Sequence, residues 1–177
     1  MLLFLDESEA LTHPYLARAW AKRGADLRVP APGQAKKIAL LGALDHTTRK
    51  LIVHTSLTKR STDFIALLER LDREYGPKPG QQQAPVVIVL DNGPIHASRL
   101  SRAALAARQH WLSVEWLPKY APELNDIEPV WHDLKAHHLA HQTFTDADAL
   151  DRSIHHGVDA LNRERNVDPL AKARVSA

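Results

Sequence analysis

Three acidic residues stand in settings that suit metal-assisted chemistry. Asp6 ends the apolar run Leu2-Leu3-Phe4-Leu5, and Asp91 ends the run Val86-Val87-Ile88-Val89-Leu90. Glu128 follows the punctuated stretch Leu117-Pro118-Lys119-Tyr120-Ala121-Pro122-Glu123-Leu124-Asn125-Asp126-Ile127. Carboxylates at strand ends and at a helix start can converge although far apart in sequence, because ligands of α/β sheets gather beyond the carboxyl ends of the strands. An all-oxygen donor set in a chain without cysteine suits Mg²⁺ or Mn²⁺ better than zinc. Two such ions about 4 Å apart would activate a water or a 3′-hydroxyl and stabilise the leaving oxygen of an in-line displacement. On this reading Asp6 bridges both ions, while Asp91 and Glu128 hold one each.

Taken singly, each acid also has a plain structural reading. Asp91-Asn92-Gly93-Pro94 makes a good strand-to-helix turn, and Asp6-Glu7 is an ordinary strand end. Glu128 alone is a surface glutamate favoured by the helix dipole. Side chains alternate along a strand, so Glu7 points away from Asp6, to solvent or behind the site. Pro129 is tolerated only in a first helical turn, which starts this helix near Asn125 or Asp126 and puts Glu128 in that turn. Ile127, Val130, Trp131 and Leu134 then form the apolar stripe, and Trp131 is a core anchor.

The elements that must position these acids follow from periodicity. Residues 2–6 read as a buried strand, and residues 7–35 as irregular structure marked by Pro14, Gly24, Pro30, Pro32 and Gly33. Residues 36–45 and 50–56 flank a short polar link and predict a hairpin. Residues 61–75 predict a helix with Ser61, Thr62 or Asp63 as cap. A strand over 85–90, a helix over 96–110, a strand over 111–117 and helices over 126–141 and 145–163 complete the order. Together they predict an α/β architecture, one mixed sheet with helices on both faces.

Bulk properties are compatible with this. The chain has 177 residues, 44% hydrophobic and 25% charged, an ordinary globular composition for one domain. Apolar runs of about five residues fall far short of the roughly 20 that cross a bilayer. The net charge is +2, yet residues 1–60 hold ten Lys and Arg against five Asp and Glu. That basic third could contact phosphates, or simply face solvent. By position, Arg23, Lys36, Lys37, Lys59, Arg60, Lys119 and Lys135 are candidate nucleic-acid contacts. His137 and His141 are spaced i, i+4 but lack the glutamate of a His-Glu-x-x-His zinc motif, so a polar helix face is expected.

Phe4-Leu5-Asp6-Glu7, Val89-Leu90-Asp91-Asn92-Gly93-Pro94-Ile95-His96, and the stretch from Leu117-Pro118 to Trp131 occur in that order. Together they resemble the motifs of DDE transposases of the bacterial insertion sequence 630 family, within the mariner-like superfamily. The likeness spans residues 2–140. It implies a ribonuclease H-like fold with a mixed five-stranded sheet, and a two-metal site (Mg²⁺ or Mn²⁺) at Asp6, Asp91 and Glu128. It implies cutting at transposon ends and strand transfer into target DNA, by a homodimer or larger transpososome in the bacterial cytoplasm at the nucleoid. No membrane and no small-molecule cofactor is expected.

Within the matching motifs Asn92, His96 and Asn125 are expected to support the site. Residues 7–35, with Trp20 and Arg23, fall where relatives carry an insertion that contacts DNA or the partner subunit. The family more usually has proline where this chain has Asp126, which is expected here to cap the helix. The expected organisation is a single catalytic domain over residues 1–177, without the upstream helix-turn-helix domains of relatives. The alternatives are a generic nuclease of the same fold, or a non-catalytic remnant that binds DNA or a full-length transposase.

Overall fold

The computed structural model describes residues 1–18, 20–31, 33–80, 84–118 and 121–167. Its strands are β1 (Leu2–Leu11), β2 (Lys37–Asp45), β3 (Leu51–Ser56), β4 (Val86–Leu90) and β5 (Leu112–Trp116). They form one sheet in the order β3-β2-β1-β4-β5. β1, β2 and β3 pair antiparallel, whereas β4 joins β1, and β5 joins β4, in parallel. Short links suffice for the antiparallel part. The parallel part needs crossovers, supplied by helices α1 (Ser61–Tyr75) and α3 (Arg99–Ala106).

Alternation along the central strands builds two cores. Leu3 and Leu5 of β1 with Ala39, Leu41 and Ala43 of β2 pack against Phe64, Leu67, Leu68 and Leu71 of α1 and Leu105 of α3. On the other face Phe4, Ala10, Ile38, Leu40 and Leu44 meet α4 (Glu128–Asp133), a π turn (Leu134–His138) and α5 (Ala147–Val167). Each such buried Leu or Ile contributes about 2 kcal/mol by leaving water. The expected mixed five-stranded sheet with helices on both faces is what forms.

Polar side chains from both helical layers close the sheet edge at β3. Asn162 of α5 accepts from Leu51 N–H (2.8 Å) and donates to Leu51 C=O (2.9 Å). Arg70 of α1 donates to Val53 C=O (2.7 Å). Unpaired edge groups are thereby satisfied, which disfavours edge-to-edge association.

Several local expectations are corrected. β1 runs to Leu11 because β2 pairs with it along its whole length, to Leu11↔Lys37. The helix expected over 96–110 is two pieces, α2 (Pro94–Ala97) and α3, because Ser98 is extended and its hydroxyl caps α3 by accepting from Ser101 N–H (3.1 Å). The N-cap of α1 is Arg60, one residue before the three expected; Asp63 instead folds back to accept the Arg60 N–H (2.8 Å) and the Thr58 hydroxyl (2.8 Å). The helix expected over 126–141 starts at Glu128 and opens into the π turn, where Leu139 N–H reaches Leu134 C=O (3.2 Å).

Two glycines permit the close approach of the second helical layer. A Cβ on Gly42 of β2 would lie 2.4 Å from Trp131 Cη2 and 3.2 Å from Ile127 Cδ1. A Cβ on Gly157 of α5 would lie 2.8 Å from Leu134 Cδ1. Trp131 is 2% exposed, so its ring cannot swing out without opening the core. Gly42→Ala is therefore expected to cost about 1–3 kcal/mol by overpacking, read from the midpoint of urea unfolding. A midpoint equal to that of the unmodified chain would contradict the contact.

Candidate active site

Asp6 and Asp91 are brought together by strand register. β1 and β4 pair Leu2↔Val87, Leu3↔Ile88 and Phe4↔Val89. The same offset continued by two residues sets Asp6 beside Asp91, where β4 ends. By alternation both lie on the face that carries Phe4, which is the face covered by α4. Asp6 is antiparallel partner to Gly42, the residue on which Trp131 rests.

Glu128 arrives at the same corner through Asn125. The Asn125 side chain is 5% exposed and donates from Nδ2 to Leu5 C=O (3.0 Å), one residue before Asp6. Asn125 C=O accepts the Glu128 N–H (3.1 Å), so the start of α4 is tied to the end of the β1 apolar run. Asn92 Nδ2 donates to Leu117 C=O (2.9 Å), and Leu117 N–H to Leu90 C=O (2.7 Å), which anchors the departing end of the same loop beside β4. A shallow cavity of ≈ 300 Å³ lies along this loop, lined by Glu123, Asn125, Asp126, Glu128 and Pro129.

The acids feel one another. The Asp6 carboxyl is pushed up to about 7, chiefly by burial. A backbone hydrogen bond from Glu7 opposes this, and the charges of Glu128, Glu7 and Asp91 add to it. Among the described residues no three His, Asp or Glu side chains are gathered tightly enough to make a ready ligand set. Proximity of the three acids thus rests on register, on the Asn125 tether and on their shared field. Their donor atoms are all oxygens, which fits a hard divalent cation, and a cation would relieve the buried charge at Asp6.

Behind Asp91 lies a buried histidine. His96 is 2% exposed, with Nδ1 2.8 Å from Asp91 Oδ1 and Nε2 2.9 Å from Glu7 Oε1. Burial opposes its charged form, but Glu7 and Asp91 outweigh burial and raise its pKa. Phe64 packs edge-on against the ring at 4.7 Å. Glu7 does face away from Asp6, as alternation requires; its side chain is 9% exposed and belongs behind the site, not in solvent. No local sequence signal links Glu7 to His96, 89 positions further along.

The remaining expectations divide. Asp126 does not cap α4, whose N-cap is Ile127 without a side-chain bond. It pairs instead with Arg49 and, at 3.1 Å, with His46, both from the β2–β3 link. Its charge is therefore committed away from the acids. Lys135 is the candidate phosphate contact that lies within their field: burial lowers its pKa, and Glu128, Glu9 and Asp6 pull it back up. Lys37 pairs with Glu9 (3.1 Å) and Lys59 with Glu7 (3.5 Å). Arg23 and Lys36 are exposed, along with Trp20, in and after the segment that leaves β1. Lys119 lies outside the described residues.

Comparison with known proteins bears on the family and the fold. The chain is similar over 133 residues, at 32% identity, to the insertion element IS630 uncharacterized 39 kDa protein of Shigella sonnei. That stretch is 75% of this chain but 37% of the relative, so the chain spans little more than a third of the relative's length. Among solved structures, a pre-cleavage Mos1 transpososome matches with a TM-score of 0.62 at 17% identity, covering 99% of this chain and 57% of that one. The catalytic domain of Mos1 mariner transposase matches with a TM-score of 0.58 at 17% identity, covering 93% and 78%. Mos1 has been solved as a paired-end complex with Mn, and its catalytic domain with Mg. At these identities the likeness is one of fold, the ribonuclease H-like fold. A family model described as DDE superfamily endonuclease matches residues 1–151, and on that match the chain belongs to this family.

Proposed function

We propose that this chain is the catalytic domain of a DNA transposase, cutting at transposon ends and joining them to target DNA. Asp6, Asp91 and Glu128 are its catalytic carboxylates and would hold the divalent cations, two ions of Mg²⁺ or Mn²⁺. The observation that carries this reading is the register of β1 and β4. Continued by two residues, that register aligns Asp6, midway along β1, with Asp91 just past the end of β4, and the Asn125 hydrogen bond to Leu5 C=O supports Glu128 as the third. Bound divalent cations would supply Lewis acidity for activating a water or 3′-hydroxyl and for steadying the leaving oxygen.

The chain's own residues supply placement. Asp6 presents a half-buried carboxylate whose charge is costly until neutralised. His96 and the Gly93 N–H hold one oxygen of Asp91, and among the described residues the other oxygen accepts no hydrogen bond. Lys135, on the same helical layer as Glu128, offers its ammonium to a DNA phosphate beside the acids. The partners are transposon-end and target DNA, with a homodimer or larger transpososome as the working unit. No helix among the described residues is long and apolar enough to cross a membrane.

Three outcomes test this. Labelled transposon-end DNA incubated with Mn²⁺ should be cut or joined by the unmodified chain, with loss on the order of 100-fold in Asp91→Asn. DNA binding without cleavage would mark a non-catalytic remnant, and cleavage of RNA in a hybrid a generic nuclease. Lys135→Ala should weaken DNA binding across sequences and lower the salt slope of log K by about 1. An unchanged slope would remove Lys135 from the interface.

The third outcome concerns pH. Burial pushes the Asp6 carboxyl up to about 7 from its ordinary 3.8. The native state therefore holds an extra proton between these values, and stability falls as pH rises through that window. In EDTA, Asp6→Asn should be level with the unmodified chain near pH 4 and gain on it by up to about 4 kcal/mol above pH 7. Parallel stability curves in urea would refute the burial of this carboxyl.

A further inference from the structure

Arg49 sits in the β2–β3 link with a left-handed backbone, φ 59°. That conformation costs free energy for any residue with a Cβ, and turns usually place Gly or Asn there. The link closes without the Arg49 side chain. Asp45 Oδ1 accepts the N–H groups of Thr47 (2.8 Å) and Thr48 (3.1 Å), and Asp45 C=O accepts the Arg49 N–H (2.8 Å). The Arg49 side chain is only 11% exposed, and its buried Nε bonds nothing among the described residues. A buried N–H left unpaired is a further cost.

The partner of this side chain is Asp126. Arg49 Nη1 donates to Asp126 Oδ2, and His46 Nδ1 lies 3.1 Å from the same oxygen. Asp126 is 36% exposed, and an ion pair so open to water stabilises little. Left-handed backbone, orphaned donor and weak pair together favour no arginine here on stability alone. Residues held in such sparsely populated conformations cluster where function needs a fixed geometry. The geometry at stake is the entry to α4. Asn125 ties that loop to Leu5 C=O of β1 (3.0 Å), and one hydrogen bond fixes a point but not a direction. Asp126, the next residue, is tied by Arg49 to the β2–β3 link, which supplies the direction. Arg165 of α5 donates to Arg49 C=O (3.4 Å) and to Asp133 Oδ2 at the end of α4 (3.3 Å). Arg49 thus holds the start of α4 with its side chain and, through Arg165, its end with its carbonyl.

We propose that Arg49 is a positioning residue for Glu128: by holding Asp126, two residues ahead, it fixes the direction in which α4 leaves the sheet and so where the Glu128 carboxylate is presented. The inference rests on the reading of Glu128 as a catalytic carboxylate and adds a residue to it. In this role Arg49 acts through Asp126 and the backbone, not by contact with a cation or DNA.

The test uses the full 177-residue chain. Arg49→Gly removes the side chain, relieves the left-handed backbone and keeps the carbonyl that Arg165 needs. Asp126→Asn weakens the pair from the other side. Three quantities are measured: the unfolding temperature in EDTA, amide hydrogen exchange in EDTA, and the Mn²⁺ dissociation constant by electron paramagnetic resonance. The informative amides are Val130 and Trp131, which donate to Ile127 C=O in the first turn of α4 (2.9 and 3.1 Å), with Ile88 of β4 as reference. Arg49→Gly should keep the unfolding temperature and speed exchange at Val130 and Trp131 about 10-fold relative to Ile88. It should also weaken Mn²⁺ binding about 10-fold. Asp126→Asn should do the same, and the double variant no more than either alone.

A lowered unfolding temperature in Arg49→Gly, with Ile88 and Val130 speeded alike, overturns the proposal, because Arg49 would then be a general stabiliser. A variant that fails to fold overturns it on the same ground. So do α4 amides unchanged in both variants, or a Mn²⁺ affinity unchanged while those amides speed up. Absence of Mn²⁺ binding in the unmodified chain, with α4 amides still speeded in the variants, sinks the metal-site reading while the hold of Arg49 on α4 stands.

Discussion

The indole of Trp131 rests against β2 at Gly42, the residue paired with Asp6, and this contact sets how closely α4 approaches the sheet. Glu128 lies three positions before Trp131, one turn up the same helix. An added methyl at position 42 would have to displace a ring held in the core, and Glu128 would move with it. The Asn125 hydrogen bond to Leu5 C=O then fixes the loop that enters α4. One van der Waals contact and one buried hydrogen bond thus place the third acid relative to the first.

The sheet separates two kinds of work. On the α4 face lie Asp6, with its destabilised charge, and Glu128, exposed at the helix start. On the α1 face lie Glu7 and His96, buried and mutually compensated. Asp91 ends β4 where the two faces meet, one oxygen taken by the inner network. Such an arrangement keeps one carboxylate oriented without placing a second positive group among the acids.

Asp126 shows how a departure from the usual family residue is absorbed. A fourth carboxylate next to Glu128 could compete for cations, yet Arg49 and His46 draw it toward the β2–β3 link. Arg49 holds a left-handed backbone (φ 59°) in that link, and its carbonyl accepts from Arg165 of α5 (3.4 Å). Arg165 also reaches Asp133 of α4 (3.3 Å). The extra acid has become part of a charge network that joins α4, α5 and the hairpin.

Much of the architecture was legible in local sequence, because hydrophobic period and turn residues act over a few positions. The β2–β3 hairpin, α1 over residues 61–75 and the buried strand β4 were all visible in this way. The break at Ser98, the π turn after Asp133 and the length of β1 were not, since tertiary partners decide them. For the site, sequence alone determined that Asp91 follows a strand end, that Glu128 opens a helix, and that Glu7 must face away from Asp6; it ended β1 at Asp6, whereas pairing with β2 carries the strand on to Leu11. Only the tertiary structure decided that β1 and β4 align Asp6 with Asp91, that Gly42 admits Trp131, and that His96 bridges Glu7 and Asp91. Those relations join residues tens of positions apart, and no local propensity encodes a distance between two strands.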